Sequence, residues 1–112
     1  MCMKKTLIVM FLLLTSITAL AEETFLQGGM VISLVLPTSN GAYIGFETTP
    51  STCSGSYHGR HGFLYSGNSN YKEQLAFFRV SQAIKKPISV NYISNGDCTS
   101  LDSLLSIEGG KL

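Results

Sequence analysis

Asn70-Tyr71-Lys72-Glu73-Gln74-Leu75-Ala76-Phe77-Phe78-Arg79-Val80-Ser81-Gln82-Ala83-Ile84-Lys85-Lys86-Pro87-Ile88-Ser89-Val90-Asn91-Tyr92-Ile93 reads as one helix followed by one strand. Asn70 is a helix-capping residue type, and Glu73 three positions later completes a capping-box pattern. Leu75, Ala76, Phe77, Phe78, Val80, Ala83 and Ile84 recur at three- and four-residue spacing, which predicts a broad buried stripe. Lys85 and Lys86 fall at the negative end of the helix dipole, and Pro87 forbids continuation. From Ile88 to Ile93 apolar and polar residues alternate, the period of a strand.

Upstream of the helix, Gly28 to Leu36 also alternates, with Met30, Ile32, Leu34 and Leu36 on one face, and predicts a first strand. Pro37-Thr38-Ser39-Asn40-Gly41 stops it, and Asn-Gly is a turn dipeptide because both residues tolerate positive φ. Ala42 to Thr48 resumes extended pairing, so a hairpin is expected. Thr49 to Gly62 is polar and glycine-rich and reads as a long loop tied at Cys53. Gly62 to Ser66 is a short third strand. Downstream, Asn95-Gly96-Asp97 turns the chain, Leu104 to Glu108 forms a last strand, and Gly109 to Leu112 frays. The predicted fold is mainly β with one helix, in the order β-β-β-α-β-β. An OB-like five-stranded barrel has this order; small sandwiches fit the strand count but leave one late helix unexplained.

The chain has 112 residues. Its start has the three parts of a secretory signal: basic Met1-Cys2-Met3-Lys4-Lys5, apolar Leu7 to Leu14, and the small-x-small site Ala19-Leu20-Ala21. The apolar run is too short, and too interrupted by Thr15, Ser16 and Thr18, for a membrane span, which needs about 20 apolar residues. Cleavage after Ala21 is expected to leave residues 22–112 as one secreted or periplasmic domain without a membrane anchor. Cys2 precedes the apolar run and leaves with the signal. Cys53 and Cys98 remain, and an even pair in an exported small domain predicts one disulfide; free thiols or metal ligands are the alternative. The bond would close 45 residues, worth about 4 kcal/mol by loop-entropy reasoning. Of eight Lys and Arg, loss of Lys4 and Lys5 leaves six against seven acids. A chain without basic excess has little with which to neutralise phosphates, so nucleic acid is not an expected partner.

Tyr71 to Phe78, followed by Lys86 to Tyr92, resembles the helix-then-strand core of the pentameric B subunits of subtilase-cytotoxin-like and pertussis-like AB5 toxins, and Gly28 to Ser33 resembles their first strand. A looser likeness runs over most of residues 22–112 to small exported bacterial proteins that pair a mid-chain cysteine with one after the penultimate strand, as Cys53 and Cys98 are placed here. The resemblance implies the OB fold, a homo-pentamer and glycan binding without catalysis. The sequence departs from it where those toxins place a sugar-contacting serine near the start of the first strand: Gln27 and Gly28 stand there, and Ser33 lies too far along. Gly45 and Phe46 also occupy the second-strand neighbourhood where the cysteine pattern differs. No receptor-binding residue carries over.

Candidate chemistry is sparse. His58 and His61, with Cys53, have ligand types suited to zinc, but the flanking glycines and a Cys53–Cys98 pairing argue against a fixed tetrahedral site. No G-x-S-x-G elbow, G-x-G-x-x-G or Walker loop is present. Of the carboxylates, Glu73 is accounted for as a cap and Asp97 as a turn residue, so no acid pair is left that stands out for glycoside cleavage. No enzyme activity, cofactor or metal is expected. The remaining set is Tyr43, Tyr57, His58, Arg60 and His61, offering aromatic faces to sugar C–H groups and Arg and His as donors. The bland alternative packs Tyr43 across the hairpin and leaves the loop solvated. The functional expectation is an exported glycan-binding module, with a monomeric periplasmic or secreted protein-interaction domain as the alternative.

Overall fold

The structure is a computed structural model, and it describes residues 24–112. The expected signal peptide and its cleavage site lie outside the described residues. Six strands and one helix make up the fold: β1 (Thr24–Met30), β2 (Ile32–Thr38), β3 (Gly41–Phe46), β4 (Gly62–Tyr65), α1 (Tyr71–Ile84), β5 (Ile88–Ile93) and β6 (Leu105–Lys111), with a 3-10 turn at Leu101–Ser103 before β6. They form one sheet in the order β1-β5-β6-β4-β3-β2, antiparallel throughout except for the β4–β6 pair.

The element order agrees with the sequence once the first strand is divided. The chain does not run straight from Gly28 to Leu36. Gly29 takes a positive φ of 69°, a conformation glycine adopts at little cost, and the register of β1 on β5 slips between Gln27 and Met30. The strand therefore breaks at Val31. Its first half pairs with β5 and its second half with β3. The sheet is accordingly six-stranded and is not a closed barrel, which corrects the five-stranded barrel expected from the sequence. Its two end strands are nonetheless one residue apart in the chain. Since consecutive Cα atoms are about 3.8 Å apart, Met30 and Ile32 sit within about 7.6 Å, and the sheet must curl to bring its ends to that corner.

The inner face of the curl is the core. Met30, Ile32, Ala42, Ile44, Leu64, Val90, Tyr92, Leu105 and Ile107 are buried there, each separated from the next inward residue of its strand by an outward one. The helix lies against this layer through Phe78, which is fully buried, with Leu75 and Phe77 half-buried beside it. The stripe is narrower than its periodicity predicts: Ala76, Val80, Ala83 and Ile84 are exposed. The expected capping box is also not made. Asn70 contributes its backbone carbonyl, which accepts from the Gln74 N–H, and not its side chain. Helix α1 ends with Lys85 in the left-handed region, its N–H on the Gln82 carbonyl and the Lys86 N–H on that of Ser81, a Schellman-type closure formed without glycine.

The C-terminal end of the chain, expected to fray at Gly109, is instead the part of β6 that seats the helix. Gly110 donates its N–H to Gln74 Oε1 at 2.9 Å. A Cβ on Gly110 would come within 2.7 Å of the Phe78 ring, so the helix rests where side chains are absent. The hairpin turn also differs. Thr38 pairs with Gly41, so Ser39-Asn40 is the central dipeptide, and Thr38 Oγ1 accepts from the Asn40 N–H while donating to the Gly41 carbonyl. Neither central residue has a positive φ.

Candidate functional site

Between β3 and β4 the polar segment is not the open loop its composition suggests. Tyr57 and Arg60 exchange both backbone hydrogen bonds at 2.9 Å, around His58 (φ 52°) and Gly59 (φ 80°). Two consecutive positive φ values in a two-residue connection define a type I′ hairpin. This hairpin folds over β3, where Gly45 leaves room for it: a Cβ there would strike the Gly59 carbonyl. A Cys53–Cys98 disulfide anchors the start of the same segment. The Ser54 N–H adds a hydrogen bond to the Asp97 carbonyl at 3.0 Å. With Cys53 oxidised, it is no thiolate ligand. Among the described residues no three His, Cys, Asp or Glu side chains converge as metal ligands.

The hairpin brings together four of the five residues singled out in the sequence. The Arg60 guanidinium lies 4.8 Å from the centroid of the Tyr43 ring and 5.9 Å from that of Tyr57, and the Tyr57 ring meets the His58 ring edge-on at 4.5 Å. Arg60 Nε is buried with no hydrogen-bond partner. His61 does not join them. It is turned inward, stacked on Phe46, and its Nδ1 accepts the Phe46 N–H at 3.0 Å. An imidazole nitrogen that accepts a backbone N–H carries no proton, so the ring is the neutral tautomer protonated on Nε2. Burial lowers its pKa below the ordinary 6.5. His61 is thus a structural clasp between β3 and β4, and its own carbonyl accepts the Leu105 N–H of β6.

Gln27, at the position where the toxin resemblance placed a sugar contact, is likewise occupied. Its Oε1 accepts from the Ser51 N–H at 3.0 Å and from the Tyr92 hydroxyl at 3.1 Å. The first bond holds β1 to the loop after β3, and the second ties it to β5.

A concavity of about 900 Å³ lies on the outer face of the sheet. Its floor follows from register. Tyr43 pairs with Phe63, Phe63 with Ser106, and Ser106 with Ile93, so these four side chains form one row across β3, β4, β6 and β5. Three inter-strand steps span roughly 14 Å. The Tyr43 and Phe63 rings meet edge-on at 5.0 Å. Two residues further along the parallel strands β4 and β6 come Tyr65, which is 58% exposed, and Glu108. Asn68 to Asn70, Asn95, Leu101 and Asp102 complete the rim. The Asn95 amide donates to the Leu104 carbonyl at 3.0 Å and to Ser106 Oγ at 2.8 Å.

Of the sequence-derived set only Tyr43 lines this groove. Phe63 and Tyr65 carried a signal, the alternation Phe63-Leu64-Tyr65, which puts both rings on the face opposite Leu64. Ser106 and Glu108 carried none, because only strand pairing brings β6 beside β4, and Asn95 and Asp102 carried none because they reach the rim from segments outside the strands. No protein-family model matches the chain, and no curated protein or solved structure matches it either.

Proposed function

We propose that the chain is an exported, non-catalytic binding module that holds a glycan in the groove on the outer face of the sheet. The observation that carries this reading is the lining: an edge-paired Tyr43–Phe63 platform with Tyr65 beside it, bordered by amide, hydroxyl and carboxylate groups. Sugars present exactly two kinds of surface, apolar C–H faces and hydroxyl edges, and aromatic rings with short polar side chains answer both. The disulfide supports export, since such bonds persist in oxidising compartments. The glycan would meet the sheet face through Phe63 and Tyr65 as well as Tyr43.

A protein contact is the second reading, favoured by one observation. Ala76, Val80 and Ile84 are four residues apart on one face of α1 and all are exposed, Val80 at 59% and Ile84 at 62%. In the glycan-binding reading this stripe is where copies of the chain meet in a ring; in the alternative it receives a different protein. A glycan array probed with the oxidised protein, and light scattering on the same sample, separate the two. Binding that drops about tenfold or more in Tyr65→Ala supports the groove. A protein that binds no glycan and stays monomeric supports the protein-interaction domain.

A further inference from the structure

We infer that the outer groove selects uncharged glycans and turns away acidic ones, an inference that rests on the glycan reading above. Among the described residues the groove's charged side chains are both acidic, Asp102 on the 3-10 turn and Glu108 on β6. A ligand carboxylate or sulfate needs charge-assisted donors, a guanidinium or ammonium or a bundle of free N–H groups. The rim offers neutral amides and hydroxyls. Asn95 spends its N–H donors on Leu104 and Ser106, so the hydrogen-bonding capacity its side chain has left is that of an acceptor. Acceptors suit sugar hydroxyls, which donate to carboxylates well, and they repel an anion.

Two positive features lie near enough to require an answer. The first is the N-terminus of α1, beside Asn68 to Asn70. Its first turn carries Lys72 beside Glu73, whose opposite charges offset each other, and the N–H groups of Tyr71 and Gln74 are held by the carbonyls of Asn68 and Asn70. The second is Arg60. Its guanidinium lies over the Tyr43 and Tyr57 rings, beyond the Tyr43 end of the row. From β3 to β6 is two inter-strand steps, roughly 10 Å. That is about one Debye length at physiological salt, so Arg60 does little to offset Glu108. A ligand anion about 7 Å from each carboxylate, at an effective dielectric of about 30 between bulk water and a protein surface and with the same salt screening, is weakened about threefold by each, or about tenfold together.

The test uses protein exported to the periplasm from the full chain, with its disulfide intact. An array carries neutral oligosaccharides, each printed beside its sialylated and its sulfated counterpart. The expected result is that at least one neutral glycan is held and that its acidic counterparts bind about tenfold more weakly. In the double variant Asp102→Asn/Glu108→Gln that ratio falls to about threefold or less, while Arg60→Gln leaves it in place. Acidic counterparts that bind as well as the neutral parent, or a ratio unmoved by the double variant, overturn the inference and leave the glycan site standing. Absence of binding to any glycan overturns the glycan reading and this inference with it. Both acids are exposed, so the double variant keeps its fold, which the far-ultraviolet circular dichroism verifies.

Discussion

Leu64 and Tyr65 are neighbours on β4 and meet opposite surroundings: the leucine has no exposed surface and the tyrosine is more than half exposed. The same contrast runs across the whole sheet. The inner face is a continuous apolar layer covered by Phe78, whereas the outer face carries three aromatic rings in an open groove, Tyr43 and Phe63 half-buried and Tyr65 exposed. Aromatic residues on an inner face are explained by what they bury. On the outer face they are clustered in one groove with polar groups around them, and a core has no use for that arrangement. The inner face accounts for the fold, and the outer face is where a function has to be sought.

The largest effect that tests this division is at Phe78. Phe78→Ala removes a fully buried ring from beneath the helix and should cost about 3–5 kcal/mol. In a domain of this size that is a fall in Tm of roughly 12 °C or more. Tyr65→Ala should shift stability by less than about 0.5 kcal/mol and act on glycan binding alone. Paired denaturation and array measurements on the two variants decide it. A Tyr65→Ala protein as destabilised as Phe78→Ala would mean that the outer rings are part of the core after all.

The inner face was legible in the sequence because alternation and helical spacing report directly on burial. Ile88 to Ile93 and Tyr71 to Ile84 lie where their patterns put them. Misreadings fall where the decisive contact is with a residue distant in the chain. Gly109-Gly110 looks like a fraying tail until the helix is laid on it. Gly29 looks like one more strand residue until its φ breaks β1 from β2. Of the outer groove the sequence singled out Tyr43 and carried an alternation signal for Phe63 and Tyr65, whereas Ser106 and Glu108 reach it by a parallel pairing that no local pattern announces. His58 and His61 were indistinguishable in the sequence, three residues apart between glycines; the I′ turn at His58-Gly59 points one out and the other in.

The disulfide joins the two regions, since Cys98 is fully buried while Cys53 sits at the base of the loop that carries the Tyr57–Arg60 hairpin. Replacing both cysteines by serine frees a loop of 45 residues and should cost about 4 kcal/mol at most, within the 2–5 kcal/mol range for small exported domains. The denaturant midpoint of the double variant measures this. A midpoint close to that of the oxidised protein would show that the Ser54–Asp97 hydrogen bond and packing around Pro50 hold the loop without the covalent bond.

The two histidines sharpen the comparison at the smallest scale. Burial depresses the His61 pKa, and its Nδ1 must stay unprotonated to accept the Phe46 N–H. In the unfolded chain the same imidazole titrates near 6.5. Above that pH both states are neutral and the protein has its full stability. Below it the unfolded chain binds a proton that the folded protein refuses, so stability falls with falling pH until the folded His61 itself titrates. Denaturant midpoints measured between pH 7.5 and pH 5 should therefore decline on the acid side. His58→Gln should leave that decline in place, whereas His61→Gln, which keeps a hydrogen-bonding side chain but removes the titration, should flatten it. A decline abolished by His58→Gln would move the pH-sensitive group from the clasp between β3 and β4 to the exposed turn, and with it the assignment of His61 to the inner face.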